Sequence, residues 1–204
     1  MPKPTITAHA GALGTKDNTL ESALACAACP GVDRIEVDVR FLPDGTPVLL
    51  HNAGAPATCV RLEDLLRQVD CNYNLDMKET THMQRIASLA QSYRLTERAV
   101  LTGLAAKDIF AVQSCGVPYY LNCAPTRLRA KTCVAQAKAL GCVGLNIHFR
   151  ACGKHLVQLA HAHGLLVQVW TVNGKKHLRR MRRMGVDGIT SRRPDLVREV
   201  LHAP

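Results

Sequence analysis

Eight times along this chain an apolar run of strand length gives way to a segment with helical periodicity, and no other feature narrows its possible folds so far. The strand-like runs fall at 5–9, 33–40, 73–78, 99–103, 118–123, 141–149, 165–171 and 187–191. Helical patterns follow them in turn at 20–29, 62–68, 82–94, 105–115, 130–140, 154–163, 174–184 and 195–202. Such alternation builds a parallel sheet covered by helices, because parallel neighbours need a long crossover to return the chain. A doubly wound sheet and a closed barrel both satisfy it. The count of eight, with polar residues at the carboxyl ends of the runs, predicts a (β/α)₈ TIM barrel of the α/β class. Barrels of this kind typically need about 250 residues, with a floor near 200. A chain of 204 residues therefore predicts one domain over 1–204 with minimal loops. Neither a linker nor a low-complexity stretch divides it.

In a barrel, chemistry sits where strands end and loops begin. That rule selects His9, Glu36, Asp38, Asp76, Lys78, Asn122, Asn146, His148 and Trp170. The run from Ile35 alternates at period two, with Ile35, Val37 and Val39 on one face and Glu36, Asp38 and Arg40 on the other. Two carboxylates on one strand face stand about 7 Å apart along the strand. A Pro43-Asp44-Gly45 turn and a short strand at 47–50 then deliver His51. Glu36, Asp38 and Asp76 offer hard oxygen ligands, which suit Mg²⁺ or Ca²⁺ rather than zinc. The rival reading is a set of interior acids paired with Arg40 or Lys78. His9 and His51 are acid–base candidates, since imidazole exchanges a proton near neutral pH. Asn18, just ahead of the helical pattern at Leu20, reads first as a helix cap.

These residues also carry a resemblance. His9, Gly11, the DNTLESA run at 17–23, Glu36, Asp38, DGTPVLLH at 44–51 and NLDMK at 74–78 resemble the glycerophosphodiester phosphodiesterase family. VQVWTVN at 167–173 and GVDGITSRRPD at 185–195 are similar to that family's last two strands and their loops. The resemblance runs in order from about residue 5 to 195. It implies a TIM barrel and metal-dependent cleavage of glycerophosphodiesters to sn-glycerol 3-phosphate and an alcohol, a reaction of lipid metabolism. One divalent ion, Mg²⁺ or Ca²⁺, would be held by Glu36, Asp38 and Asp76. One of His9 and His51 would be the general base and the other the general acid. Lys78 would contact phosphate, and Trp170 would wall the substrate alcohol.

Three positions depart from the family pattern: Ala10 stands where the family has arginine, Asp17 where it has glutamate, and Asp76 is one methylene short. Lys16, Arg40 and Arg150 are the cations that could substitute at Ala10. The family's inserted subdomain after His51 shrinks to about 52–59. These departures leave an alternative: a catalytically degenerate barrel acting as a binding or scaffold protein.

Composition limits the other classes. No run approaches the roughly 18 uncharged apolar residues of a membrane span, and none before His9 resembles a signal peptide. Nine scattered cysteines fit reduced thiols in a cytoplasmic protein better than a disulfide framework. Cys26 and Cys29 have redox spacing but lie inside an alanine-rich helical pattern. The net charge of +10 gathers at 175–183, where Leu178, Met181 and Met184 mark the buried stripe of an amphipathic helix. A solvated basic face is expected there, with a small-molecule phosphodiester and not nucleic acid as the partner. Neither a Rossmann fingerprint nor a Walker loop is present.

Overall fold

The computed structural model describes residues 3–54, 58–124 and 129–202. Its strands are β1 (Thr5–Ala8), β2 (Arg34–Phe41), β3 (Pro47–Leu49), β4 (Tyr73–Met77), β5 (Ala99–Leu104), β6 (Tyr119–Cys123), β7 (Gly144–His148), β8 (Leu166–Trp170) and β9 (Gly188–Ser191). They hydrogen-bond in the order β1-β9-β8-β7-β6-β5-β4-β2, and a β1–β2 pairing closes the ring. Every pairing in the ring is parallel; β3 adds to β2 as an antiparallel hairpin partner outside it. This is the expected eight-stranded (β/α)₈ barrel.

The helices are α1 (Leu20–Ala27), α2 (Leu62–Gln68), α3 (Met83–Ser92), α4 (Leu95–Arg98), α5 (Ile109–Val112), α6 (Ala130–Ala139), α7 (Lys154–Ala162), α8 (Lys175–Met184) and α9 (Pro194–His202). The short α4 lies beyond the helix expected at 82–94, and one expected helix is broken. The helix expected at 105–115 breaks into 3₁₀ turns at Ala106–Asp108 and Gln113–Cys115 around the short α5. The Asp108 carboxylate turns back to accept from the Ala105 amide at 2.9 Å, and Phe110 is 87% exposed. The segment thus lacks the continuous apolar stripe that would hold a longer helix against the sheet. In α8, Leu178 and Met181 are buried as expected.

Period-two alternation divides the strand residues between two environments. Ile6, Ile35, Val37, Leu75, Leu101, Leu121, Leu145, Val167 and Ile189 join one buried apolar cluster with the helix faces. A buried side chain of this size contributes about 1.5–3 kcal/mol. The alternate positions, Glu36, Asp38, Asn74, Thr102, Asn146, Gln168 and Thr190, form a buried polar series. All nine cysteines are free thiols. Burial pushes those of Cys71, Cys115, Cys142 and Cys152 up to about 11, away from the reactive thiolate. Among the described residues no helix is long and apolar enough to cross a membrane.

Candidate active site

A cavity of about 380 Å³ opens at the carboxyl ends of the barrel strands. His9 enters it just after β1, where its amide donates to the Ser191 carbonyl (2.9 Å). Glu36 and Asp38 come from β2 and Asp76 from β4, with Asp38 and Asp76 opposite each other in the parallel register. His51 follows β3. The Leu50 amide donates to the Asp38 carbonyl (3.0 Å) and the Arg40 Nε to the His51 carbonyl (3.0 Å), so the hairpin fixes His51 over β2. Lys78 and Trp170 complete the set, and all seven residues line this one cavity.

Glu36, Asp38 and Asp76 can each direct one oxygen to a common point, these atoms lying within 4.8 Å of one another. Burial first, then the charges of Asp76 and Asp38, push the Glu36 carboxyl well above the ordinary glutamate range. Its Oε2 accepts from the Ala10 amide at 2.8 Å. The Lys78 ammonium bridges Asp38 (2.8 Å) and Asp76. Burial would lower its pKa, but the two aspartates outweigh burial and raise it. Three converging carboxylates facing one ammonium carry an excess of negative charge, and an all-oxygen donor set fits a hard divalent cation.

His9 Nδ1 lies 2.8 Å from the Ala10 carbonyl, which can only accept, so the ring proton sits on Nδ1 and Nε2 keeps its lone pair. Burial and, more weakly, the Arg192 charge lower the His9 pKa, which holds the ring neutral. Nδ1 of the exposed His51 is 3.0 Å from the Asn52 Oδ1.

Asn18 does not cap α1. Thr19 does, its hydroxyl accepting from the Ser22 amide (3.1 Å). Asn18 adopts a left-handed backbone (φ 59°), open to asparagine more readily than to most residues. It grips Asp38 from both ends: its Nδ2 donates to the Asp38 Oδ2 (2.7 Å) and its Oδ1 accepts from the Asp38 amide (3.0 Å). Gly103 is required beside Asp76, since a Cβ there would lie 2.4 Å from the Met77 carbonyl oxygen and 2.6 Å from the Asp76 Oδ1.

Among the described residues the far wall is neutral. Thr102 donates to the Asn74 Oδ1 (2.8 Å), and the Asn122 Oδ1 accepts from the Gly103 amide (3.0 Å) and the Asn146 Nδ2 (2.9 Å). Asn74, Thr102, Thr171 and Thr190 also line the cavity and lie outside the set that the strand-end rule selects. Asn74 was legible as the period-two companion of Asp76. His148, by contrast, stacks edge-on against Trp170 outside the lining.

Of the cations considered for the place of arginine at Ala10, Arg40 is committed to the His51 carbonyl and Glu79. Arg150 lies over the Phe149 ring, and Lys16 lines a neighbouring cavity. The arginine whose charge reaches His9, Glu36 and Asp38 is Arg192, following β9 and paired with Asp17 at 2.9 and 2.6 Å. No local pattern links two residues so far apart in sequence.

A parallel barrel with acids, histidines and a lysine gathered at its carboxyl-terminal mouth has the arrangement of a barrel enzyme. The model of the glycerophosphoryl diester phosphodiesterase family matches residues 55–196, well over half of the chain. The chain belongs to that family, a family of phosphoric diester hydrolases. The match takes in Asp76, Lys78 and Trp170 and begins after His9, Glu36, Asp38 and His51.

A glycerophosphodiester phosphodiesterase from Parabacteroides distasonis is 18% identical with a TM-score of 0.80, over 98% of each chain. One from Thermotoga maritima is 17% identical with a TM-score of 0.78, over 98% of this chain and 99% of that one. An Oleispira antarctica phosphodiesterase, solved in complex with the product sn-glycerol-3-phosphate, is 19% identical with a TM-score of 0.78, over 98% of each chain. At these identities the likeness establishes the fold. No curated protein matches the chain.

Proposed function

We propose that this chain is a metal-dependent hydrolase of glycerophosphodiesters, releasing sn-glycerol 3-phosphate and an alcohol. The observation that carries the reading is the convergence of Glu36, Asp38 and Asp76 within 4.8 Å, in the cavity that also receives both histidines. Family membership supports the reaction class, and the product bound to the Oleispira antarctica phosphodiesterase supports glycerol phosphate as the retained half. Glu36, Asp38 and Asp76 would hold one Mg²⁺ or Ca²⁺, which when bound polarises phosphoryl oxygens.

Lys78 offers an ammonium to a phosphate oxygen, released from Asp38 and Asp76 once their charge is met otherwise. His9, with Nε2 free and the ring held neutral, takes a proton from the water that attacks phosphorus. The P–O bond to the alcohol breaks, and His51 returns a proton to the departing oxygen, so charge and protons balance. Trp170 walls the substrate. The whole chain would act as one catalytic domain in the cytoplasm, consistent with its free thiols, on a small molecule in lipid metabolism and not on nucleic acid.

A second reading, a binding or scaffold barrel without turnover, is favoured by the Lys78 ammonium already bridging Asp38 and Asp76. One assay separates the two: glycerol phosphate release from a panel of glycerophosphodiesters, with EDTA and after adding back Mg²⁺ or Ca²⁺. Release that depends on the ion is expected. Saturable binding of the diesters without any release would instead establish the scaffold.

A further inference from the structure

Next to the catalytic cavity lies a second one of about 500 Å³, between the loop at 16–19 and residues 49–52 and 58–60 at and after the end of β3. His51 stands in the wall of both cavities. Asn18 also lines the second cavity while donating to Asp38 at 2.7 Å, so two side chains separate it from the acidic cluster. The two cavities differ in character. The first is walled mainly by ionised, amide and hydroxyl groups; the second sets Leu49, Leu50, Cys59 and Val60 beside the polar residues at 16–19, 51–52 and 58. Leu49 is 2% exposed, and its amide donates to the Val60 carbonyl (2.8 Å), which fixes these apolar residues together.

We infer that this cavity receives the alcohol half of the diester, and that it takes an uncharged alcohol with an apolar body. The inference rests on the phosphodiesterase reading above and names its substrate class. A phosphodiester has two arms on one phosphorus. With phosphorus between His9, His51 and the acids, the polyhydroxyl arm meets the amides and hydroxyls of the first cavity. The other arm passes His51, the proton donor for the oxygen that leaves, and enters the second.

Charge selects the class. Among the described lining residues no Trp, Tyr or Phe ring offers a face to a quaternary ammonium. The Asp17 carboxylate, the one acid there, is occupied by both terminal nitrogens of Arg192 (2.9 and 2.6 Å). Lys16 is exposed at the rim and leaves it net positive. A cationic alcohol such as choline is disfavoured on each count, whereas an alkyl body buries apolar surface against Leu50 and Val60.

The test measures kcat/KM for the hexan-1-ol, glycerol and choline esters of sn-glycerol 3-phosphate, each read as variant over wild type so that leaving-group reactivity cancels. Val60→Asp is expected to lower the value for the hexyl ester about tenfold or more, the scale of a pocket mismatch, and that for the glycerol ester less than about threefold. Lys16→Glu, an exposed change that spares folding, is expected to raise the choline ester about threefold over the glycerol ester. All three esters changing in parallel in Lys16→Glu, or in both variants, would overturn the inference while leaving the phosphodiesterase reading intact. Absence of wild-type turnover of every ester would remove that reading and the inference with it.

Discussion

Strands β1 to β4 and strands β5 to β9 build one cavity and give it two kinds of chemistry. Among the described residues every ionisable group on its wall, His9, Glu36, Asp38, His51, Asp76 and Lys78, comes from the first group or the hairpin loop beside it. From Thr102 onward the described wall is threonine, asparagine, glycine and Trp170. The division follows from distance. Carboxylates that share one cation must approach within a few ångströms, and only neighbouring strands, about 4.8 Å apart, allow this. Asp38 and Asp76 meet that requirement as register partners, with Glu36 two residues earlier on the same face. The neutral half has no such constraint, and its hydrogen-bonding groups can receive a polyhydroxyl group without displacing any charge.

The largest effects are expected in the charged half. Glu36→Gln removes one of the three acids while keeping its shape. Calorimetric titration of metal-stripped protein should show one Mg²⁺ or Ca²⁺ event in wild type and none in the variant. Turnover should fall about 10³-fold or more, as losing several kcal/mol of charge stabilisation implies. Equal ion binding by the two proteins would end the metal assignment. Next comes the acid–base pair. His9→Ala and His51→Ala are each expected to lower kcat about 10²- to 10⁴-fold, the range for general acid–base catalysis, with ion affinity nearly unchanged. Wild-type rates in both would remove their roles.

A sharper contrast sets Asn18 against Asn146, two amides on opposite sides. Asn18→Ala frees both ends of Asp38 and is expected to weaken ion affinity about 10- to 100-fold, as loss of a ligand's supporting hydrogen bond does. Asn146→Ala removes one neutral hydrogen bond to Asn122. It should leave ion affinity alone and raise KM about three- to tenfold, the equivalent of roughly one kcal/mol. Similar ion affinities in the two variants would erase the division between the halves.

The charged half was largely legible in the sequence. Alternation around Glu36 and Asp38, a turn delivering His51 and a strand ending at Asp76 and Lys78 are local patterns, and local patterns survive folding. The eight strands were legible for the same reason. What escaped depends on tertiary approach. Asn18 has the position of a cap, and only a left-handed backbone turns it onto Asp38. Thr102 and Thr190 looked like ordinary strand residues until barrel closure faced them inward. The broken segment at 105–115 carries helical spacing, but its exposed Phe110 shows that spacing without a partner surface does not hold a helix.

The smallest effect belongs to Arg192 and Asp17, the pair that ties the last loop of the neutral half to the first loop of the charged half. The hydrogen bonds from Arg192 hold the Asp17 carboxyl below the usual aspartate range. A depressed carboxylate pKa contributes stability that is fully present above the unfolded value, about 3.9, and is lost as pH falls through the folded one. Both side chains are about two-fifths exposed, at 41% and 42%, so solvent screens the pair and its contribution is no more than about 1 kcal/mol. Arg192→Ala should therefore lower Tm at pH 7 by no more than about 4 °C in a chain of this size. The gap from wild type should close as the pH is brought below about 4, because Asp17 then protonates in both proteins. Urea midpoints at pH 7, 4 and 3 measure this directly. A gap that stays constant across them would mean that Arg192 joins the two halves by packing rather than by charge.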